Sequence, residues 1–72
     1  MSVAADQRAM EMRVERANAA LDAYRAVAGD DEPLSTLGDM LADLQHWADA
    51  YGVDFARAME QAVDHYDEER VR

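Results

Sequence analysis

An all-α fold, a three-helix domain with a long N-terminal helix followed by an antiparallel helical hairpin, is what this chain predicts. Three observations carry the prediction. Apolar residues recur at alternating steps of three and four along three successive stretches, the period of a helix face. Two short segments, Gly29-Asp30-Asp31-Glu32-Pro33 and Gly52-Val53-Asp54, interrupt those stretches with residues that end and restart helices. No segment alternates apolar and polar residues in the way a half-buried strand does.

The first helix is expected over residues 3–28. Ser2 is a suitable N-cap, and the stripe runs Val3, Met10, Val14, Ala17, Leu21, Tyr24 and Ala28, with Gln7 interrupting. Gly29 suits the position just past the C-terminus. The second helix is expected over residues 36–51. Ser35 or Thr36 would cap it, and Thr36-x-x-Asp39 resembles a capping box. Its stripe is Leu37, Met40, Leu41, Leu44, Trp47, Ala48 and Tyr51. Gly38 in its first turn would allow close approach of the first helix. Gly52 should end it in a left-handed conformation, with Val53 folding back as the hydrophobic contact of the cap. Asp54 should cap the third helix, residues 55–69, whose stripe is Phe55, Ala58, Met59, Ala62, Val63 and Tyr66. The charged tail from Asp67 is expected to fray. The stripe residues Trp47, Tyr51, Phe55, Met59 and Tyr66 are read as core, and a binding surface is the less common use of such a stripe.

The 72 residues allow one domain, 1–72, whose core supplies roughly 3–5 kcal/mol. With no Cys there is no disulfide to reinforce it, so a partner chain is the expected source of further buried area. The first helix is longer than either arm of the hairpin and should overhang it, leaving Val3, Met10 and Val14 as a candidate homodimer face. No apolar run is long enough to span a membrane, and the N-terminus lacks the pattern of a signal peptide. A cytoplasmic protein without membrane association is expected.

The net charge of −9 is unevenly placed. Up to Gly29 four acids balance four arginines. From Asp30 onward twelve acids face Arg57, Arg70 and Arg72, so the whole excess belongs to the second half. The first helix can pair its charges locally, for example Glu11 and Glu15 with Arg8, Arg13 and Arg16, whereas the hairpin cannot. Such a balance opposes direct binding to nucleic acid and favours a basic protein partner. Asp39 and Asp43 on the second helix, and Glu60 and Asp64 on the third, are spaced one turn apart, about 5–6 Å between Cβ atoms. That is close to the spacing of successive phosphates. A face lined this way suits a basic groove built for nucleic acid, and these four residues are the candidate partner-binding face.

Catalytic chemistry has little to stand on. His46 lies between Asp43 and Asp49, and His65 precedes Glu68 and Glu69, permissible ligand types for a metal. Each His also borders the apolar stripe, where a half-buried imidazole bonded to a carboxylate is the commoner outcome, and no metal or cofactor is expected. The Glu-x-x-Glu, Glu-x-x-Asp or Glu-x-x-His pairs of di-metal bundles and of all-helical nucleotide pyrophosphohydrolases are missing from the helices. Ser2 and Ser35 are better explained as caps than as nucleophiles. Ser35 also lacks the preceding Asp of the acyl carrier motif. The expectation is a protein that is not an enzyme.

Asp39, Asp43, Leu44, His46, Trp47, then Gly52, Asp54, Phe55, then His65 and Tyr66 form a pattern over about half the chain. It resembles a group of small bacterial proteins of phages and other mobile elements that share Asp-Leu-x-x-Asp-Leu-x-His-Trp/Tyr, Gly-x-Asp-Phe and His-Tyr/Phe. The resemblance leaves residues 3–28 outside and brings no established activity. It implies a mobile-element accessory protein. By class, it suggests an inhibitor of host defence such as an anti-CRISPR or anti-restriction protein. The function expected is therefore a non-enzymatic acidic protein that occupies a basic nucleic-acid-binding surface. The alternative is a homo-oligomeric structural or regulatory protein self-associating through its first helix.

Overall fold

The computed structural model describes residues 3–70, and for Val3 the backbone alone. Three helices account for nearly all of it: α1, Val3–Ala28; α2, Pro33–Tyr51; and α3, Phe55–Arg70. No strand occurs among the described residues. The expected Ser2 cap lies outside them.

α1 ends as its sequence requires. Gly29 takes φ 104°, a left-handed conformation that costs glycine little. Its N–H donates to the Arg25 carbonyl at 2.9 Å, closing the last turn. The Arg25 guanidinium lies 3.1 Å from Asp22 and 3.6 Å from Asp30, so a cation sits where the helix dipole favours one.

α2 starts three residues before the expected position. Pro33 is its first residue rather than part of the preceding turn, because the N–H that proline lacks would be unpaired there anyway and its fixed φ suits a helix. Glu32 is the flanking residue: its carbonyl accepts from the Thr36 N–H at 2.9 Å, and its carboxylate accepts from the Ser35 hydroxyl at 3.2 Å. Thr36 is therefore not a cap. It is buried in the first turn, its hydroxyl donating to the Asp31 carbonyl at 3.2 Å.

The α2–α3 connection follows the expected chemistry closely. Gly52 has φ 69°, and the Val53 N–H reaches back five residues to the Ala48 carbonyl at 2.8 Å. That bond is the long one of a Schellman termination. Asp54 then caps α3, its carboxylate accepting from the Arg57 N–H at 3.0 Å and its carbonyl from the Ala58 N–H at 3.0 Å. α3 runs past Asp67 to Arg70, one residue beyond the expected end, with Arg70 bridging back to Asp67 at 3.5 Å; Val71 and Arg72 of the tail expected to fray lie outside the described residues.

The chain divides into two compact units, Met1–Met40 and Leu41–Arg72. In the first, Leu21, Tyr24, Arg25, Ser35 and Met40 are half-buried and Thr36 is buried at the end of α1 and the start of α2, and Asp6, Ala9 and Arg13 are half-buried earlier in α1. In the second, Ala48 is buried, while Phe55 and Glu69 are half-buried.

Gly38 lies in the second turn of α2, not the first, and a Cβ built there meets nothing within 4 Å. The close approach expected at this glycine is not made. Gly38→Ala should accordingly stabilise the helix by about 0.5–1 kcal/mol. Thermal unfolding followed by circular dichroism at fixed protein concentration checks this, and an unchanged or lowered midpoint would refute it.

Candidate interaction surface

The second unit shows what a helical hairpin can and cannot bury. Two helices cover only the line along which they meet, whereas the apolar arcs of α2 and α3 are far wider than a line. Ala48 lies on that line, 2% exposed. Trp47 at 53%, Tyr51 at 70% and Tyr66 at 64% do not. Leu41, Leu44, Met59 and Val63 are also exposed, and Phe55 is half-buried. The expectation that Trp47, Tyr51, Met59 and Tyr66 form a core is thus overturned. They are an open apolar surface, and within the chain only Phe55 among the five is substantially sheltered.

This surface has internal order. Trp47 and Tyr51, one turn apart, stack with ring centroids 5.0 Å apart and planes inclined by 30°. The Arg70 guanidinium stands 5.7 Å from the Tyr66 ring centroid, within cation–π range.

Most of the acids lie off these stripes, although Asp43 stands one turn before Trp47 and Glu69 lies in line with Ala62 and Tyr66. At about 100° per residue, Asp39 and Asp43 project away from Leu41, Leu44 and Ala48, and Glu60 and Asp64 away from Phe55, Met59 and Tyr66. All four acids are exposed. Local compensation is present but sparse: Arg57 lies 3.9 Å from Glu60, which corrects the expectation that the hairpin pairs none of its charges. His46 and His65 are exposed rather than half-buried. No three His, Asp or Glu side chains come together to hold a metal ion among the described residues.

On α1, Met10 and Val14 of the candidate dimer face are exposed, at the mouth of an open depression also lined by Glu11 and Glu15. The Val3 side chain lies outside the described residues. Met12 is exposed as well.

The fold and surface define an all-α protein whose hairpin exposes both an apolar stripe and a set of carboxylates. No helix among the described residues is long and apolar enough to cross a membrane. Compared with protein-family models, with curated proteins and with solved structures, the chain matches none. What sequence reasoning missed is the openness of the aromatic stripe. Periodicity tells which face is apolar and carries no information on what covers it.

Proposed function

We propose that the protein is a non-enzymatic acidic interaction protein whose carboxylate face docks on a basic surface of a nucleic-acid-binding complex. The observation that carries this reading is the placement of these carboxylates. Asp39, Asp43, Glu60 and Asp64 are exposed and sit on helix sides turned from Leu41, Leu44, Phe55, Met59 and Tyr66, in a chain of net charge −9. Exposed carboxylates at one-turn spacing attract a cationic groove over a distance of about a Debye length, roughly 8–10 Å at physiological salt, and speed encounter with it. The most specific form of the reading is an inhibitor that fills the nucleic-acid site of a host defence complex, an analogy of class with small acidic phage proteins.

Affinity capture with the wild type and with the fourfold variant Asp39→Asn, Asp43→Asn, Glu60→Gln, Asp64→Asn tests it. The wild type should retain a basic protein at low salt and release it when salt is raised or when a nucleic-acid duplex is added. The variant should retain at least tenfold less. Capture that is indifferent to salt, or equal for the two baits, would refute the reading.

A further inference from the structure

We infer that the α2–α3 hairpin pairs with a second copy of this chain, through the face carrying Leu41, Leu44, Trp47, Tyr51, Met59 and Tyr66, into a four-helix bundle. This surface meets the acidic face only where Trp47 follows Asp43 by one turn, and the inference does not depend on what that face binds.

The first argument is area. Trp47, Tyr51 and Tyr66 are exposed by 53%, 70% and 64%; at about 200 Å² for each aromatic side chain they leave about 370 Å² of largely apolar surface open. Leu41, Leu44, Met59 and Val63, exposed by 38–54%, add about 170 Å² at roughly 100 Å² per aliphatic side chain. A symmetric pair would therefore bury at most about 1,100 Å² from these residues, comparable with the ~1,000 Å² that a specific interface needs.

The second argument is charge, and it selects the occupant. Leu41, Leu44, Ala48 and Tyr51 follow the alternating three and four spacing of the a and d positions of a heptad, and so do Phe55, Met59, Ala62 and Tyr66. The positions flanking such a seam set partner choice through their charges. Here the flanks are Gln45 and Trp47 on α2 and Ala56, Ala58, Val63 and His65 on α3, with no acid among them. Asp43, Asp49, Glu60, Asp64, Asp67 and Glu68 fall at the outer positions of the same heptads, while Glu69, three residues after Tyr66, takes the next seam position at the end of α3, with Arg70 on its flank. Two chains of charge −9 would repel each other through any other arrangement of those acids. This one turns every one of them but Glu69 outward from the contact. A seam whose flanks carry no acid fits a copy of itself, related by a twofold axis.

The α1 stripe is a poorer candidate by the same measures. Gln7, Ala17 and Ala28 occupy seam positions, and Asp6, Glu11, Arg13 and Arg25 occupy its flanks.

The experiment uses the full chain and its single Trp. Sedimentation and Trp47 fluorescence are followed from about 1 to about 100 μM, since the hydrophobic driving force for pairing acts by mass action. Twice the chain mass is expected at the upper end, together with a blue-shifted Trp47 emission and acrylamide quenching reduced severalfold. Leu44→Glu and Tyr51→Ser should each raise the dissociation constant at least tenfold, while Val14→Glu on α1 should leave it unchanged. Two hairpin variants are used so that a folding defect in one, visible as lost helical circular dichroism, leaves the other to decide. A monomer with solvent-like Trp47 emission throughout would overturn the proposal. So would an assembly lost on Val14→Glu but kept by Tyr51→Ser, or an assembly larger than a pair.

Discussion

A hundredfold dilution, from about 100 to about 1 μM, should lower the melting temperature by roughly 5–10 °C: it removes about 2.7 kcal/mol from a folding equilibrium coupled to pairing, and for two such chains melting together each kcal/mol is worth about 2–4 °C. The expectation follows from how little the chain buries by itself. Ala48 is the buried hydrophobic residue among those described, and Thr36 the buried polar one. A core of this size supplies about 3–5 kcal/mol under favourable packing, and the exposed Trp47, Tyr51 and Tyr66 withdraw the largest contributors from it. Association supplies the missing burial and ties stability to concentration. Melting curves recorded by circular dichroism at several concentrations check this. Superimposable curves would mean that each chain is stable alone and that its open aromatic surface serves a different partner.

The course of the helices was legible wherever a residue type has one physical use at its position. Gly29 and Gly52 both adopt positive φ, Asp54 caps α3, and α1 runs from Val3 to Ala28 as its stripe requires. Pro33 was ambiguous because proline both ends one helix and begins another. Only the hydrogen bonds of Glu32, Ser35 and Thr36 decide between the two uses. The fate of Trp47 and Tyr51 was illegible for a different reason. The same spacing serves a core or an interface, and the choice depends on whether another element covers the face. One signal did bear on it: the absence of acids from the positions flanking the seam, in a chain with twelve acids in that half. A core facing another part of the same chain puts no such condition on the flanks of both arms, whereas a contact between like-charged copies does.

The acidic face and the apolar seam are compatible in one molecule. Pairing through Leu41, Leu44, Met59 and Tyr66 leaves Asp43, Glu60 and Asp64 directed outward from both copies, doubling the number of carboxylate faces without bringing them together. A basic partner would then meet two sites at once, and the second engagement gains from the first through effective concentration.

Gly52→Val should destabilise the protein by about 1–2 kcal/mol, the cost of forcing a residue with a Cβ into the left-handed region, and that is a large share of the ~3–5 kcal/mol at hand. Space is not the obstacle, since a Cβ at Gly52 meets nothing within 4 Å. The obstacle is φ 69°, which a β-branched side chain adopts least readily. Three features depend on that one dihedral angle: the end of α2, the Val53 N–H bond to Ala48, and the placement of Asp54 to cap α3. A graded series separates conformational strain from any steric effect. Gly52→Asn should cost least, because asparagine visits this region readily. Gly52→Ala should be intermediate and Gly52→Val worst, as read by chemical unfolding at one fixed protein concentration. Equal midpoints for Asn and Val would mean that the turn relaxes to another conformation. In that case the Val53–Ala48 bond would be lost in both, and hydrogen exchange at the Val53 amide would rise to the same extent.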